Sequence, residues 1–228
     1  MRQFEGETFS QKSNYTSCSE AMATKCAFNQ CIVRAAPGSW NRFSDISLRD
    51  VSHWNCSISG AAVERVMLHN LKKVGSAPLF LWGSVFRNVK LSGRIAGIKI
   101  NRDLHIPRKP TEQHNWDQRV LAYYDSVDWA IDISEAKFPG GTSFEAIPGN
   151  LVIRDPTTQA LIKRQSLAGR DWRALNYDGT AINVAISWFE SGSLFDSVVV
   201  VARSDPKYAA RDLRVIDTLR TEGIAEPD

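Results

Sequence analysis

The familiar signatures of chemistry are missing from this chain. No GxSxG, P-loop or GxGxxG pattern occurs, and no HxxxH or HExxH pair. The usual local arrangements for acyl transfer, phosphate cradling, dinucleotide binding and zinc hydrolysis are therefore lacking. The four cysteines contain no CxxC spacing, the common signal for a zinc or redox site. We expect no metal, no cofactor and buried reduced thiols. Long apolar runs are also absent: the greasiest stretch, SVVVVAR at 197–203, is strand-sized and far short of the roughly 20 residues a spanning helix needs. No membrane partner is expected. The first residues, MRQFEGETFSQKSN, hold no apolar core of a secretory signal. The expected compartment is the cytoplasm, with export by a route lacking a cleaved signal as the alternative. The tripeptides NYT at 14 and NCS at 55 match the glycosylation pattern and carry little without secretion.

Strong charge of either sign is lacking too. The net charge is +3, but residues 1–105 hold 14 Lys/Arg against 7 Asp/Glu, and residues 106–228 hold 14 against 18. A mildly basic front half precedes a mildly acidic back half. The 43% hydrophobic share is ordinary for a globular chain.

What is present is a period of five. In CSISGAAVERVMLHNL, residues 56–71, the apolar or small residues advance by two, three, two, three. This fits neither the 3.6 spacing of a helix nor the 2 of a strand. One slot runs Thr16, Ala21, Cys26, Cys31, Ala36, Asn41, Ile46, Val51, Cys56, Ala61, Val66, Leu71. The slot two residues later runs Cys18, Ala23, Phe28, Val33, Gly38, Phe43, Leu48, His53, Ile58, Val63, Leu68, Lys73. Nineteen of these 24 positions are apolar, against 9 of 36 in the other three slots. A chain that turns a corner every five residues, with two side chains inside and three outside, gives this pattern. Four such sides would make one coil, and successive coils would pair as parallel strands about 4.8 Å apart. A disulfide between stacked coils is conceivable and not favoured.

The segments CAFNQ, CIVRA, ISLRD, CSISG, AAVER and VMLHN give the chain a likeness to the pentapeptide-repeat family, whose motif is loosely A-(D/N)-(L/F)-x-x. The chain resembles a divergent member, in which the Asp/Asn between the inward slots is mostly replaced. That resemblance implies a mainly β fold: a right-handed parallel β-helix of quadrilateral section. Some members of the family mimic DNA with a strongly acidic surface and bind topoisomerases. The basic front half departs from that pattern.

The frame slips after Leu71, where KKVGSAP reads as a loop. It resumes as Leu79/Leu81, Ser84/Phe86 and Val89/Leu91, then as Ile95, Ile98 and Ile100. IPRKPTEQHNW breaks it with two prolines, and DQRVLAYYDSV reads as a short amphipathic helix. The inward pattern returns at Ile131/Ile133, Ala136/Phe138 and Leu151/Ile153. We read 1–153 as a pentapeptide-repeat-like solenoid with an excursion at 106–128. The simpler alternative ends the solenoid near 105 and makes WAIDIS a strand of another domain. From 154 to 228 a mostly helical cap is expected. Asp155 and Pro156 look like a helix start, GTAINVAISWFESG reads as a second helix ending at Gly192, and DPKYAARDLRVIDTLRTEGI as a third ending at Gly223. SVVVVAR fits one strand.

Individual residues point to few sites. His53 falls in an inward slot and reads as a satisfied core histidine. FPGGTS at 138 reads as a turn, and Asp128, Asp132 and Glu135 as solvated outward acids. Lys72, Lys73, Arg87, Lys90, Arg94, Lys99 and Arg102 make the late coils basic. They form a candidate docking face for an acidic protein partner, with solvated edge protection as the plainer reading. A non-catalytic protein-binding or neutralising protein is the function expected, a bacterial immunity protein that binds a toxin being one version, guessed from type and not from a motif. Two alternatives stay open. One is an enzyme whose site lies at the solenoid–helical junction, drawing on His105, His114, Asp117, Tyr123 and Tyr124. The other is nucleic-acid binding through the basic stripe, which needs tighter clustering than the sequence offers.

Overall fold

A computed structural model describes residues 1–11, 13–14, 17–36, 38–105, 110–177 and 179–227. Thr16 of the first slot, the NYT tripeptide beyond Asn14 and the proline-bearing start of the excursion, 106–109, lie outside the described residues. The chain is mainly β. It opens with β1 (Arg2–Glu5), β2 (Thr8–Ser10), β3 (Ser13–Asn14), β4 (Cys18–Thr24), β5 (Ala27–Asn29) and β6 (Ile32–Arg34). Next are two long strands, β7 (Asn41–Trp54) and β9 (Ala61–Lys73), separated by β8 (Ser57–Ser59). Then come β10 (Leu79–Trp82), β11 (Val85–Arg87), β12 (Val89–Ile95) and β13 (Ile98–Asn101), the helix α1 (Pro110–Tyr124), β14 (Ile131–Lys137) and β15 (Val152–Ile153). The remainder holds β16 (Gln159–Lys163), the short α2 (Arg164–Leu167), α3 (Ile182–Gly192), β17 (Ser197–Val201) and α4 (Pro206–Thr221).

The strands up to β15 build a ten-stranded and a five-stranded sheet, and their pairings are parallel. Register aligns the two favoured slots across strands. Phe4, Ala23, Leu48, Leu68 and Leu91 form one column. Cys18, Phe43, Val63 and Phe86 form a second. Phe9, Phe28, His53 and Lys73 form a third, and Val33, Ile58, Leu81 and Ile100 a fourth. Burial deepens along the columns. Phe28, Val33, Leu48, Ile58 and Val63 are half-buried, whereas Leu68, Leu81, Phe86, Leu91 and Ile100 are buried. The early strands have few neighbours to cover them, and the later ones share a core with residues of α1, β14 and the C-terminal segment.

The backbone carries the same five-residue period. Glu20, Lys25, Gln30, Asp45, Asp50, Asn55, Arg65 and Asn70 all have positive φ, always one residue before the first inward slot. After the slip Gly83 and Asn88 stand in the same place, one residue before Ser84 and Val89. A left-handed residue every five is unfavourable for side chains other than Gly and Asn. Stacked pairs offset the strain: Arg65 makes a bidentate contact to Asp45, and Asn70 donates to Asp50. The last inward pair differs from the expected one. Ile131 is in register with Val152, which is buried, and Ile153 is 43% exposed. The inward residue of β15 is Val152 because the register with β14, rather than the five-residue frame, sets its phase.

The expected helix after Pro156 is a strand. Asp155 accepts from the Thr157 amide and from the Thr157 and Thr158 hydroxyls, closing an Asx turn, and β16 then pairs antiparallel with β17. The C-terminal segment is thus a two-stranded sheet with helices. Both faces of this sheet are buried. Ala160, Ile162, Val198 and Val200 pack with α3 and α4, whereas Leu161, Val199 and Val201 join the core of the large sheets. Buried Gln159 donates to the Ile133 carbonyl. Arg164 donates to the carbonyls of Phe189, Glu190, Ser193 and Phe195 at the end of α3, where a cation complements the helix dipole. The helix α4 starts as its sequence suggests, with Asp205 capping the Lys207 amide before Pro206 at the first turn.

Candidate interaction surface

The seven basic residues do not form one free stripe. Lys90 reaches Glu135 at 2.8 Å and Asp132 at 3.9 Å. The two acids expected to be merely solvated are therefore its partners, and Asp128 remains exposed. Lys99 contacts Glu145 at 2.5 Å and lies 3.6 Å from the Trp188 ring centre. Its side chain is only 18% exposed, so it does not project as a docking group. Arg102 makes a forked pair with buried Asp117 and donates to the Gly192 carbonyl. Arg87 donates to Ser126 and rests on the Tyr123 ring at 5.2 Å. Lys73 donates to the Ser76 carbonyl. Lys72 and Arg94 are exposed. Position tracks sheet membership: Lys90 and Arg94 stand on the ten-stranded sheet, Lys99 on the five-stranded one.

The junction residues named for an enzyme are engaged in structure. Tyr124 is buried and its hydroxyl accepts from the Phe86 amide; burial pushes its phenol well above the ordinary range. Tyr123 donates to Glu64 at 3.0 Å, and burial with that neighbouring carboxylate raises its phenol also. His105 stacks on Trp82 at 5.1 Å, and His114 is exposed. The cavity lined by Arg102, Val120, Ala146 and Phe195 holds about 10 Å³, the space of one water at most. Among the described residues no group of three or more His, Cys, Asp and Glu could hold a metal ion, and no helix is long and apolar enough to cross a membrane. The FPGGTS segment is a turn closed by the Gly141 amide on the Phe138 carbonyl.

Cys26 and Cys56 are buried, Cys18 and Cys31 half-buried, and all four are free thiols. Burial pushes the Cys56 thiol up, which makes it a poor nucleophile. His53 is buried, with the backbone of Ala96 and Gly97 beside its ring, although neither ring nitrogen meets strict hydrogen-bond geometry among the described residues. Burial, with Lys73 beside it, holds its pKa below 6.5.

A different group of side chains converges where α1 lies along the sheets. Gly60 and Gly83, both at positive φ, let the Trp116 ring approach the backbone. Its indole donates to the Gly83 carbonyl at 2.9 Å. Trp40 packs on Trp116 with ring centres 4.3 Å apart and on Tyr123 at 6.0 Å. Arg119 sits 4.9 Å from both tryptophan rings. Next to Tyr123, Glu64 also accepts from Arg42 at 3.2 Å and lies 3.8 Å from Arg65. Arg42 and Arg65 thus hold the carboxylates Glu64 and Asp45, while Arg87 and Arg119 lie against the aromatic rings beside them. The frame hides this cluster, because Trp40 stands outside the inward slots. The signal that finds half of it is the spacing of Trp116, Arg119 and Tyr123, which places them along one side of a helix. Compared with known proteins, the chain matches no family model and no curated protein.

Proposed function

We propose that the chain is a non-catalytic protein-binding protein built on a right-handed, four-sided β-solenoid of pentapeptide-repeat type over residues 1–153, with 154–228 as its cap. The observation that carries the scaffold is the coincidence of three periods: inward slots every five residues, left-handed corners every five, and parallel partners such as Phe43 and Val63, or Ile46 and Val66, twenty apart. Four inward columns are what four sides per coil require. Such a rod is stiff, because each layer is held by its neighbours, and it presents side chains at fixed spacing without reorganisation on binding. In this reading Lys72 and Arg94 steer association with an acidic partner. Neutralising a toxin in the manner of an immunity protein is one form of such binding. Supporting a binding role over an enzyme at the junction, Asp117, Tyr123 and Tyr124 are already engaged in the contacts that seat α1.

The test is affinity capture of the tagged full-length protein from its native host after brief cross-linking. A single protein recovered in stoichiometric amount, and released as salt rises, is the expected result. Recovery of nucleic acid without a protein, or of no stoichiometric partner under any salt condition, overturns the reading.

A further inference from the structure

We infer that Arg119, held against Trp40 and Trp116 with Tyr123 and Arg87 beside it, is the docking point for an acidic segment of a protein partner, one carboxylate of which pairs with its guanidinium. The inference rests on the protein-binding reading above for the class of partner, and on the site's own geometry for its place. Among the described residues no carboxylate or carbonyl accepts from Arg119; its contacts are the two indole rings. Burial lowers its pKa, which marks a cation stripped of part of its water with no anion to replace it. The other arginines of the cluster differ, Arg42 and Arg65 having Glu64 and Asp45. Arg87 gives one terminal nitrogen, Nη2, to the Ser126 carbonyl and hydroxyl, and its buried Nε has no partner among the described residues. Of the four arginines, Arg119 is thus the one with no anion or carbonyl paired to its guanidinium among the described residues.

The composition also fits an interface. Trp, Tyr and Arg dominate binding hot spots because they bring large rigid area and a planar donor set. An arginine stacked on a ring is partly desolvated and pre-aligned, so a carboxylate gains a charge-assisted pair at lower ordering cost. A strand of nucleic acid fits less well. Its affinity grows with the number of phosphates that cations neutralise, and here Glu64 and Asp45 already occupy Arg42 and Arg65. Arg214, exposed on α4 and outside this group, serves as an internal control.

The experiment titrates the full-length protein at low salt with a capped hexaglutamate peptide and, separately, with inorganic phosphate, following tryptophan fluorescence. A saturable change with the peptide is expected, weakened about tenfold by Arg119→Gln and left unaltered by Arg214→Gln. Arg119→Lys keeps the charge and the packing stem but loses the planar fork, and should weaken binding nearly as much. Inorganic phosphate should compete only weakly, since it offers one anion without a flanking chain. No saturable response, or equal weakening by Arg214→Gln, overturns the site. So does tighter binding of a 20-nucleotide single strand that is lost in Arg119→Gln, which would make it a nucleic-acid surface. A native partner captured equally by wild type and Arg119→Gln removes this docking point and leaves the protein-binding reading standing. Peptide binding lost in Arg119→Gln, with no protein captured from the host, does the reverse.

Discussion

A histidine in an inward slot marks the point where its column passes from Phe9 and Phe28 to Lys73. His53 stacks on Phe28 in register and faces Lys73 in the next strand, so neither neighbour welcomes a positive ring. The consequence is directional. Its pKa when folded lies below the 6.5 of the free side chain, so below that pH the unfolded chain takes up a proton that the folded chain refuses. Stability should therefore fall as pH drops below 6.5, by at most about 1.4 kcal/mol per pH unit from this group. His53→Leu should remove that part of the slope. Urea midpoints at pH 7.5 and 5.5 measure it, and equal losses in wild type and variant would show that other groups set the acid limit. Lys99 makes a second residue-scale case. Reversing it to Glu sets two acids together under Trp188, both less than a fifth exposed, and should cost about 3 kcal/mol. Arg94→Glu replaces a cation that is in register with Lys137, so relief of like charge should keep it within about 0.5 kcal/mol of wild type. Denaturation midpoints that fail to separate the two variants would mean that the Lys99–Glu145 contact is not a structural tie.

At the scale of elements, legibility depended on whether the signal was local. The five-residue slots were readable because most of their positions from Cys26 through Leu91 are apolar, with Asn41 and His53 among the buried polar exceptions. The left-handed positions were not, since they carry Glu20, Lys25, Asp45 and Arg65, which give no turn signal of the kind glycine gives. The strand β16 was misread for a related reason. Asp155-Pro156 starts a helix and an Asx turn equally well, and what decides is β17, whose Val201 pairs with Gln159 across more than forty residues. The docking of α1 was legible only as an amphipathic segment, because its seat is made by the absence of side chains at Gly60 and Gly83. A Cβ at Gly60 would stand 2.7 Å from the Ala35 Cβ and 3.2 Å from the Trp116 ring, at φ +72. Gly60→Ala should therefore cost about 2–3 kcal/mol, from backbone strain plus crowding. Gly6 has similar φ and open space around it, so Gly6→Ala should cost only about 1 kcal/mol. Thermal melts of both variants compare the two terms, and equal losses would show that crowding against Trp116 is not what fixes this glycine.

At the scale of the whole molecule, the question is what the C-terminal segment does for the parallel sheets. Its sheet is buried on both faces, and the alternation along β17 divides its valines between two cores. Gly149 sits close to the backbone at Ser197 and Val198, with the Leu161 side chain beside it. Phe195 meets the Tyr124 ring edge-on at 5.4 Å, so the segment also braces α1. Removing 154–228 would expose Ile131, Ile133, Phe144 and Ile147, which are almost fully buried in the intact chain. It would also leave the Ile133 carbonyl without Gln159. An open parallel edge with apolar side chains behind it is a template for pairing with another copy. We therefore expect the 1–153 fragment to form soluble aggregates or to precipitate, whereas the full chain remains a defined species. Light scattering on a sizing column distinguishes the outcomes. A monodisperse fragment that melts cooperatively would mean that β14 and β15 close the sheets unaided, and the C-terminal segment would then need a role other than protecting them.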